Sequence, residues 1–457
     1  MPDFPITDYG AVGDATTDDG PAIQQAIDAC HAHGGGRVVL PGGATYLSGG
    51  LRLKSRVDLH IERGARLRAH TDRELLLPIG EVVSNFNGPD GKPRLDRIAC
   101  FLHADGAERI AITGGGVIDG NGRAWIERSD RHFHYPKPNR PRLIILERVN
   151  HLTIRDIEIH DAPNWTLHPA GCEDVLIHGI RITNDWQMPN CDGIDLDHCR
   201  DVRISDCMIV AGDDGIVLKN HRMYADYGPC ERITITGCTI VSTSCAIKIG
   251  TESFADFRDI VVTGCVIRDS NRGLGIQIRD HGRVERVLFS DCIIQTRHFS
   301  EHWWGKAEPI HVSIAPRRPN DPVSAVEDVV FRNILCQSEA GVQVHATAPA
   351  RIRGLRFDAC QLTIVSGSSH PTGFRDLRPQ GGDEHGGLEQ RHTNGFTIVG
   401  AEDVSLTDCR VRWSDSAPEH CRHVLESHRV RELDVFRLHG TGYGDHPARL
   451  HDGEALP

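Results

Sequence analysis

Four segments decide the fold: DVRISDCMI (201–209), RITITGCTI (232–240), DIVVTGCVI (259–267) and RVLFSDCII (286–294). Each holds a short β-branched strand, a corner containing Gly or Asp, and a second short strand. Working outward, the same pattern recurs in HLTIRDIEI (151–159), DVLIHGIRI (174–182), DVVFRNILC (328–336), GLRFDACQL (354–362) and DVSLTDCRV (403–411). Aligned on Leu152, Val175, Val202, Ile233, Ile260, Val287, Val329, Leu355 and Val404, the steps are 23, 27, 31, 27, 27, 42, 26 and 49 residues. A period in the twenties, lengthened by insertions, marks a solenoid. The strands alternate with period two and are too short for helices.

The cysteines keep the same register. Cys207, Cys238, Cys265, Cys292, Cys360 and Cys409 lie five residues after the reference position, and Cys172, Cys199 and Cys230 three before it. A small apolar residue recurring once per coil reads as a buried, inert internal stack. Stacked strands bury one continuous core, and parallel crossovers are right-handed. The expected fold is therefore all-β: a single-domain right-handed parallel β-helix over residues 1–440. An N-terminal capping helix is expected at about 21–33, with Ile23, Ile27 and Cys30 on one face and Pro21 just inside its start. Loop insertions are expected at about 78–95, 298–325 and 366–395, and a C-terminal tail at 441–457.

The 457 residues are 39% hydrophobic and 25% charged, with a net charge of −12. That balance disfavours nucleic acid or an anionic membrane as partner, and no apolar run approaches the roughly 20 residues of a membrane span. The fifteen cysteines contain no CxxC pair, so neither a disulfide scaffold nor a zinc site is indicated. With no secretory signal read at the N-terminus, unpaired thiols point to a cytoplasmic location.

Candidate chemistry lies in PNCDGIDLDHC (189–199) and AGDDGIVLKN (211–220). Alternation sends Ile194, Leu196, Ile216 and Leu218 inward and Asp195, Asp197 and Lys219 outward. Asp192 and the pair Asp213 and Asp214 sit at the preceding corners. The first two are 21 residues apart, nearly one coil, so the carboxylates should stack on neighbouring rungs. Such acids cannot all ionise freely. A protonated acid beside an ionised one is the pair that cleaves a glycosidic bond, and an inverting enzyme needs about 6.5–9.5 Å between them. Asp-Gly and Gly-Asp-Asp are equally ordinary turn chemistry.

The opening ITDYGAVGDATTDDGPAIQQAIDAC (6–30) resembles the start of many pectin-lyase-like β-helix proteins. PNCDGID and AGDDGIVLK resemble the Asn-Thr-Asp and Gly-Asp-Asp motifs of glycoside hydrolase family 28, the polygalacturonases and their relatives, and NWTLHP (164–169) resembles a segment of its bacterial exo-acting members. The resemblance spans roughly residues 5–365. It implies Asp213 as general acid, with Asp192 and Asp214 activating water. Asn190 is a candidate substrate ligand, and His168 is either a subsite ligand or a local hydrogen-bonding residue. No cofactor and no metal is implied.

Two further motifs of the family fail. Cys245 and Ala246 stand where a Gly-His-Gly motif falls, and Gly275 and Gln277 take the basic positions of an Arg-Ile-Lys motif that grips the galacturonate carboxylate. The implied function is an inverting, exo-acting hydrolase of pectin-derived or related oligosaccharides with altered sugar specificity, rhamnogalacturonan-type or neutral. Lys219, Lys248, Gln277 and Arg279 are candidate substrate ligands or plain strand residues. Trp303 and Trp304, with Lys306, form either an exposed sugar platform or a buried loop anchor; the platform is the expectation. A lyase or epimerase on the same fold, and a non-catalytic carbohydrate-binding β-helix, remain as alternatives. The oligomeric state is not legible.

Overall fold

The alternation of inward branched and outward polar side chains is realised coil by coil. The computed structural model describes residues 2–87, 93–300, 303–317, 321–322, 324–347, 351–378 and 386–456. These divide into two compact units, Met1–Asp213 and Asp214–Pro457. In the N-terminal unit each complete coil gives one strand to each of three parallel sheets. Asn150–Arg155, Glu158–His160 and Leu167–Ala170 form one coil, and Glu173–His178, Arg181–Thr183 and Ile194–Asp197 the next. The C-terminal unit repeats this with Cys230–Thr236, Thr239–Ser242 and Cys245–Ser253, followed by Phe257–Thr263, Val266–Ser270 and Arg272–Ile278. Both units are parallel β-helices, as the repeat requires.

The reference positions stack in register. Leu152, Val175 and Val202 pair in succession in the first unit, and Ile233, Ile260, Val287, Val329, Leu355 and Val404 in the second. All are buried, and each such side chain contributes about 1.5–3 kcal/mol of transfer free energy. Phe289, Phe331 and Phe357 add a ladder of stacked rings with centroids 5.0 and 5.3 Å apart.

The corner residues explain the recurring Gly, Asp and Asn. Asp156, Gly179 and Asp206, and then Gly237, Gly264, Asp291, Asn333, Ala359 and Asp408, all have φ between 50 and 63°. These are the residues that tolerate the left-handed region best, Ala359 excepted. The cysteine that follows most of these corners is buried, and its thiol donates to the carbonyl two residues back, from Cys207 to Ser205 and from Cys292 to Ser290, for example. All fifteen thiols are free and buried. The inert stack is thus a repeated corner device.

Helix Gly20–Ala32 buries Ile23, Ala26, Ile27 and Cys30, as a cap should. The first insertion is an antiparallel hairpin of Leu77–Asn87 and Pro93–Asp105, and the last contains the pair Phe374–Asp376 and Leu388–Gln390. Another hairpin, Ile126–Ser129 with His134–Pro136, lies where no insertion was expected. The expected tail is corrected: Arg449–His451 joins Leu425–His428 in parallel, and Glu454–Leu456 returns antiparallel to it. Polar composition hid a strand whose pairing is made by the backbone, with His451 Nδ1 2.9 Å from the Ser427 hydroxyl beside it. Among the described residues no helix is long and apolar enough to cross a membrane.

Candidate active site

In the N-terminal unit the corner before Ile194–Asp197 is built around a buried amide. Asn184, 5% exposed, accepts from the Ala162 N–H (3.0 Å) and donates through Nδ2 to Thr166 Oγ1 (2.7 Å) and to the Cys191 carbonyl (3.1 Å). The Cys191 carbonyl also accepts from the Gly212 N–H (3.2 Å), and the Asp192 carbonyl from the Thr166 N–H (3.1 Å). Asp192 is thereby fixed beside the next corner. Its carboxylate and that of Asp213 have oxygens within 4.8 Å of one another, and both residues are buried. The backbone N–H of Asn190, itself at φ 53°, donates to Asp213 Oδ2 (3.1 Å). The nearest oxygens are closer than the 6.5–9.5 Å expected of an inverting pair, a range that refers to carboxyl groups rather than to nearest atoms.

Gly212 is demanded sterically: a Cβ there would lie 2.3 Å from the carbonyls of Asp185 and Met188. Cys191 donates its thiol to the Ala162 carbonyl (2.9 Å), and burial holds that thiol protonated, well above its usual pKa. The half-buried Arg140, missed in the sequence, bridges the corner. It donates to the carbonyls of Pro163 (2.8 Å) and Pro189 (2.6 Å) and to Asn190 Oδ1 (2.9 Å). Burial lowers its pKa, while Cys191, Asp192 and Asp213 act in the opposite sense, so the cation and these carboxylates stabilise each other's charge. Asn190 therefore holds the corner through both its backbone and its side chain.

His168 is wholly buried between Arg142, at 3.1 Å from Nδ1, and Asp197 Oδ2, at 3.2 Å from Nε2. Arg142 lies 3.8 Å over the Trp165 ring. Asp195 and Asp197 face outward in the alternation yet are 0% exposed. Outward on this sheet does not mean solvated.

In the C-terminal unit Asp214, the next residue in the chain, accepts at Oδ1 from the Cys245 N–H (3.2 Å), and at Oδ2 it pairs with the Lys248 ammonium. Gly215 is again sterically required, since a Cβ would stand 2.5 Å from the Ala246 carbonyl. Burial first, then Asp214, pushes the Cys245 thiol up to about 12, which leaves it neutral. A Cβ on Gly275 would meet the Cys245 Sγ at 2.8 Å. The two departures from the family motifs are therefore one packing unit: a thiol fills the space above a residue that must lack a side chain.

Burial opposes charge on Glu252, yet Lys219, Arg317, His221 and Lys248 outweigh it and hold its pKa down to about 2. Lys219 is buried, and Arg317, unrecognised in the sequence, also forks onto Asp280 at 3.0 and 3.2 Å. Arg279 is 1% exposed and is taken up by the carbonyls of Ile278 (3.0 Å) and Ser313 (3.3 Å) and by the Ser313 hydroxyl (3.2 Å). Gln277 is buried, in register with Gly250 and Ser313. The expected indole platform is corrected. Trp303 is 3% exposed and Lys306 4%, and the Trp303 carbonyl accepts from Lys306 (3.4 Å) and Arg378 (3.3 Å). Arg378 also lies 5.5 Å from the Trp304 ring. The segment is anchored by the buried Trp303 ring and by Asp376, from the later insertion, which binds the Gly305 N–H and Arg378 together, while Trp304 is half-buried.

A family profile described as "Glycosyl hydrolases family 28" matches residues 90–370, more than half of the chain. The chain belongs to glycoside hydrolase family 28. It is a glycoside hydrolase of the polygalacturonase type, and its first residues, 4–60, match a profile described as "Rhamnogalacturonase A/epimerase, pectate lyase-like". A probable polygalacturonase of Vitis vinifera is 29% identical over 360 residues, covering 70% of this chain and 72% of that protein. An exopolygalacturonase of Zea mays is 25% identical over 386 residues, 81% and 85% of the two chains. The family 28 exopolygalacturonase structure from Yersinia enterocolitica superposes with a TM-score of 0.68 at 17% identity, over 100% of this chain and 79% of that one. Family 28 neighbours of this kind are right-handed parallel β-helices. Some relatives are matched over less of their length, down to 46% for a probable polygalacturonase of Arabidopsis thaliana.

The cytoplasmic expectation is overturned by these relatives, since plant polygalacturonases of this kind are typically secreted enzymes. Its physical premise also fails. The thiols are free and buried inside the fold, which says nothing of the redox state outside.

Proposed function

We propose that this family 28 hydrolase cleaves pectin-derived oligosaccharides from one chain end with inversion, with Asp213 as general acid and Asp192 and Asp214 activating the attacking water. The observation that carries the reading is the juxtaposition of Asp192 and Asp213 on neighbouring coils, beside the Arg140 cation. Two carboxyls this close resist simultaneous ionisation, so one carries the proton that the leaving oxygen needs while the other stays ionised as a base. Arg140 keeps that remaining charge tolerable in a buried corner. Inversion is the stereochemical course when the base activates water rather than attacking the sugar itself. The exo mode is supported by the Zea mays relative, whose match spans most of both chains.

The sugar at the cleavage point differs from a free galacturonate in this reading, as in rhamnogalacturonan-type or neutral-sugar substrates. Lys248 is committed to Asp214, Arg279 to backbone carbonyls, and position 275 has no side chain. None of these offers the cationic fork of the lost motif. Incubation with neutral and acidic pectic oligosaccharides, with the first-formed anomer followed by NMR, tests every part. One terminal unit released with inverted configuration is expected. Internal fragments, or a retained anomer, would contradict it.

A further inference from the structure

A polar cavity lies in the C-terminal unit, on the outward face of the sheet that carries Lys248. Successive strands place Lys248, Gly275, His311, Gln343, Thr397 and Glu426 in one outward row. Gln343 is three rungs from Lys248 and Glu426 is five, roughly 14 and 24 Å at the usual strand spacing. Between those rungs opens a cavity of 310 Å³, floored by the strands and walled by Arg375, Arg391 and His392 from the insertion at 366–395 and by Arg429 from the following coil. The long polar insertion has built a wall, and the wall is basic.

Its lining holds three guanidiniums and one carboxylate, Glu426. That carboxylate is already engaged by Asn394 Nδ2 and by His428 Nε2 at 2.9 Å. Arg375 and Arg391 share Glu389, the latter at 3.1 Å. The guanidinium of Arg429 has no ion pair among the described residues, and its side chain is exposed. With Glu389 counted, the cations exceed the anions by one. Two lining groups also carry buried polar atoms without a hydrogen-bond partner among the described residues: Nε of Arg375 and Nδ1 of His345. An unsatisfied buried donor costs about 1–3 kcal/mol, so a ligand oxygen that satisfies it is favoured. Burial first, then Arg375 and Arg429, brings His345 down to about 4, so it is a neutral ring near neutral pH and does not compete for the anion.

We propose that this cavity, three to five rungs along the sheet from Lys248, is a subsite that binds the carboxylate of a uronic acid residue of an oligosaccharide. Arg429 and Arg391 provide the charge, Arg375 Nε a directed donor, and His345 a partner for a sugar hydroxyl. The assignment rests on the hydrolase reading only for the kind of oligosaccharide offered; binding itself needs no turnover. It supplies the uronate recognition that the lost motif no longer provides.

The test uses the full-length Asp213→Asn protein, which leaves ligand uncut, titrated calorimetrically with hexagalacturonate and with its methyl-esterified counterpart. Arg391→Ala and Arg429→Ala, added singly, are expected to weaken hexagalacturonate binding about tenfold each, as loss of a charged hydrogen bond does, and to leave the ester unaffected. Arg429→Lys should recover part of the loss. Unchanged affinity in both alanine variants, or an equal loss for the ester, overturns the subsite. Failure of the parent enzyme to cleave any pectic oligosaccharide, neutral or acidic, would refute the proposed substrate class while leaving these titrations to decide the cavity.

Discussion

Asn184→Ala probes the corner from which Asp192 projects. The substitution strands the Ala162 N–H and removes a donor from Thr166 Oγ1 and from the Cys191 carbonyl. Each buried polar group left unsatisfied costs about 1–3 kcal/mol. Two discounts apply: the Thr166 hydroxyl can rotate towards another acceptor, and the Cys191 carbonyl keeps its bond from the Gly212 N–H. The amide of Ala162 carries the full penalty, which leaves a destabilisation of about 3 kcal/mol rather than three times the maximum. For a unit of this size that lowers Tm by roughly 6–12 °C. Differential scanning calorimetry gives the shift, and steady-state kinetics at a temperature where the variant is folded gives the second signature, a fall in kcat as Asp192 loses its fixed position. Asn184→Asp keeps the bond from Ala162 but turns an acceptor towards the Cys191 carbonyl, so it should not rescue either quantity. A Tm within about 2 °C of the parent together with unchanged kcat would refute the clamp.

Further expectations follow from single features. Arg140→Met removes the cation that favours ionised Asp192 and Asp213; their pKa values then rise, and both limbs of the pH–rate profile should move to higher pH by about one unit. Arg140→Lys, which keeps the charge, should hold the profile in place, and an unmoved profile in Arg140→Met would remove the cation from the account. Gly275→Ala should destabilise by about 1–3 kcal/mol through collision with the Cys245 Sγ. Adding Cys245→Ala should recover much of it in a double-mutant cycle, whereas additive losses would deny the coupling. Ala359, at φ 52°, is the one corner of the series without Gly, Asp or Asn, so Ala359→Gly should raise stability by about 1 kcal/mol in urea melts; a lower midpoint would contradict the strain.

The coil register was legible because it depends on nearest-neighbour chemistry. A branched residue inside, a left-handed corner and a small thiol after it recur at fixed spacing, and the stacked strands pair at those same positions. Asp192 and Asp213 were legible for the same reason, since 21 residues is close to one coil. Arg140, Asn184 and Arg317 were not. Each acts across coils on backbone or side-chain groups that no period links, and none sits in the repeating part of a coil. Exposure was misjudged at Trp303 and Lys306, because alternation and composition do not tell which insertion covers which face. The final strand was hidden because its pairing is made by the backbone, which every sequence shares.

The sharpest test of hydrolysis by these carboxylates is Asp213→Asn, which keeps the shape of the side chain and its acceptor for the Asn190 N–H but cannot donate the proton. With far-ultraviolet circular dichroism and Tm matching the parent, kcat should fall by about 10²–10⁴ on the oligosaccharide the parent cleaves. A folded variant that retains kcat within a few-fold of the parent would contradict Asp213 as the general acid, and with it the proposed mechanism.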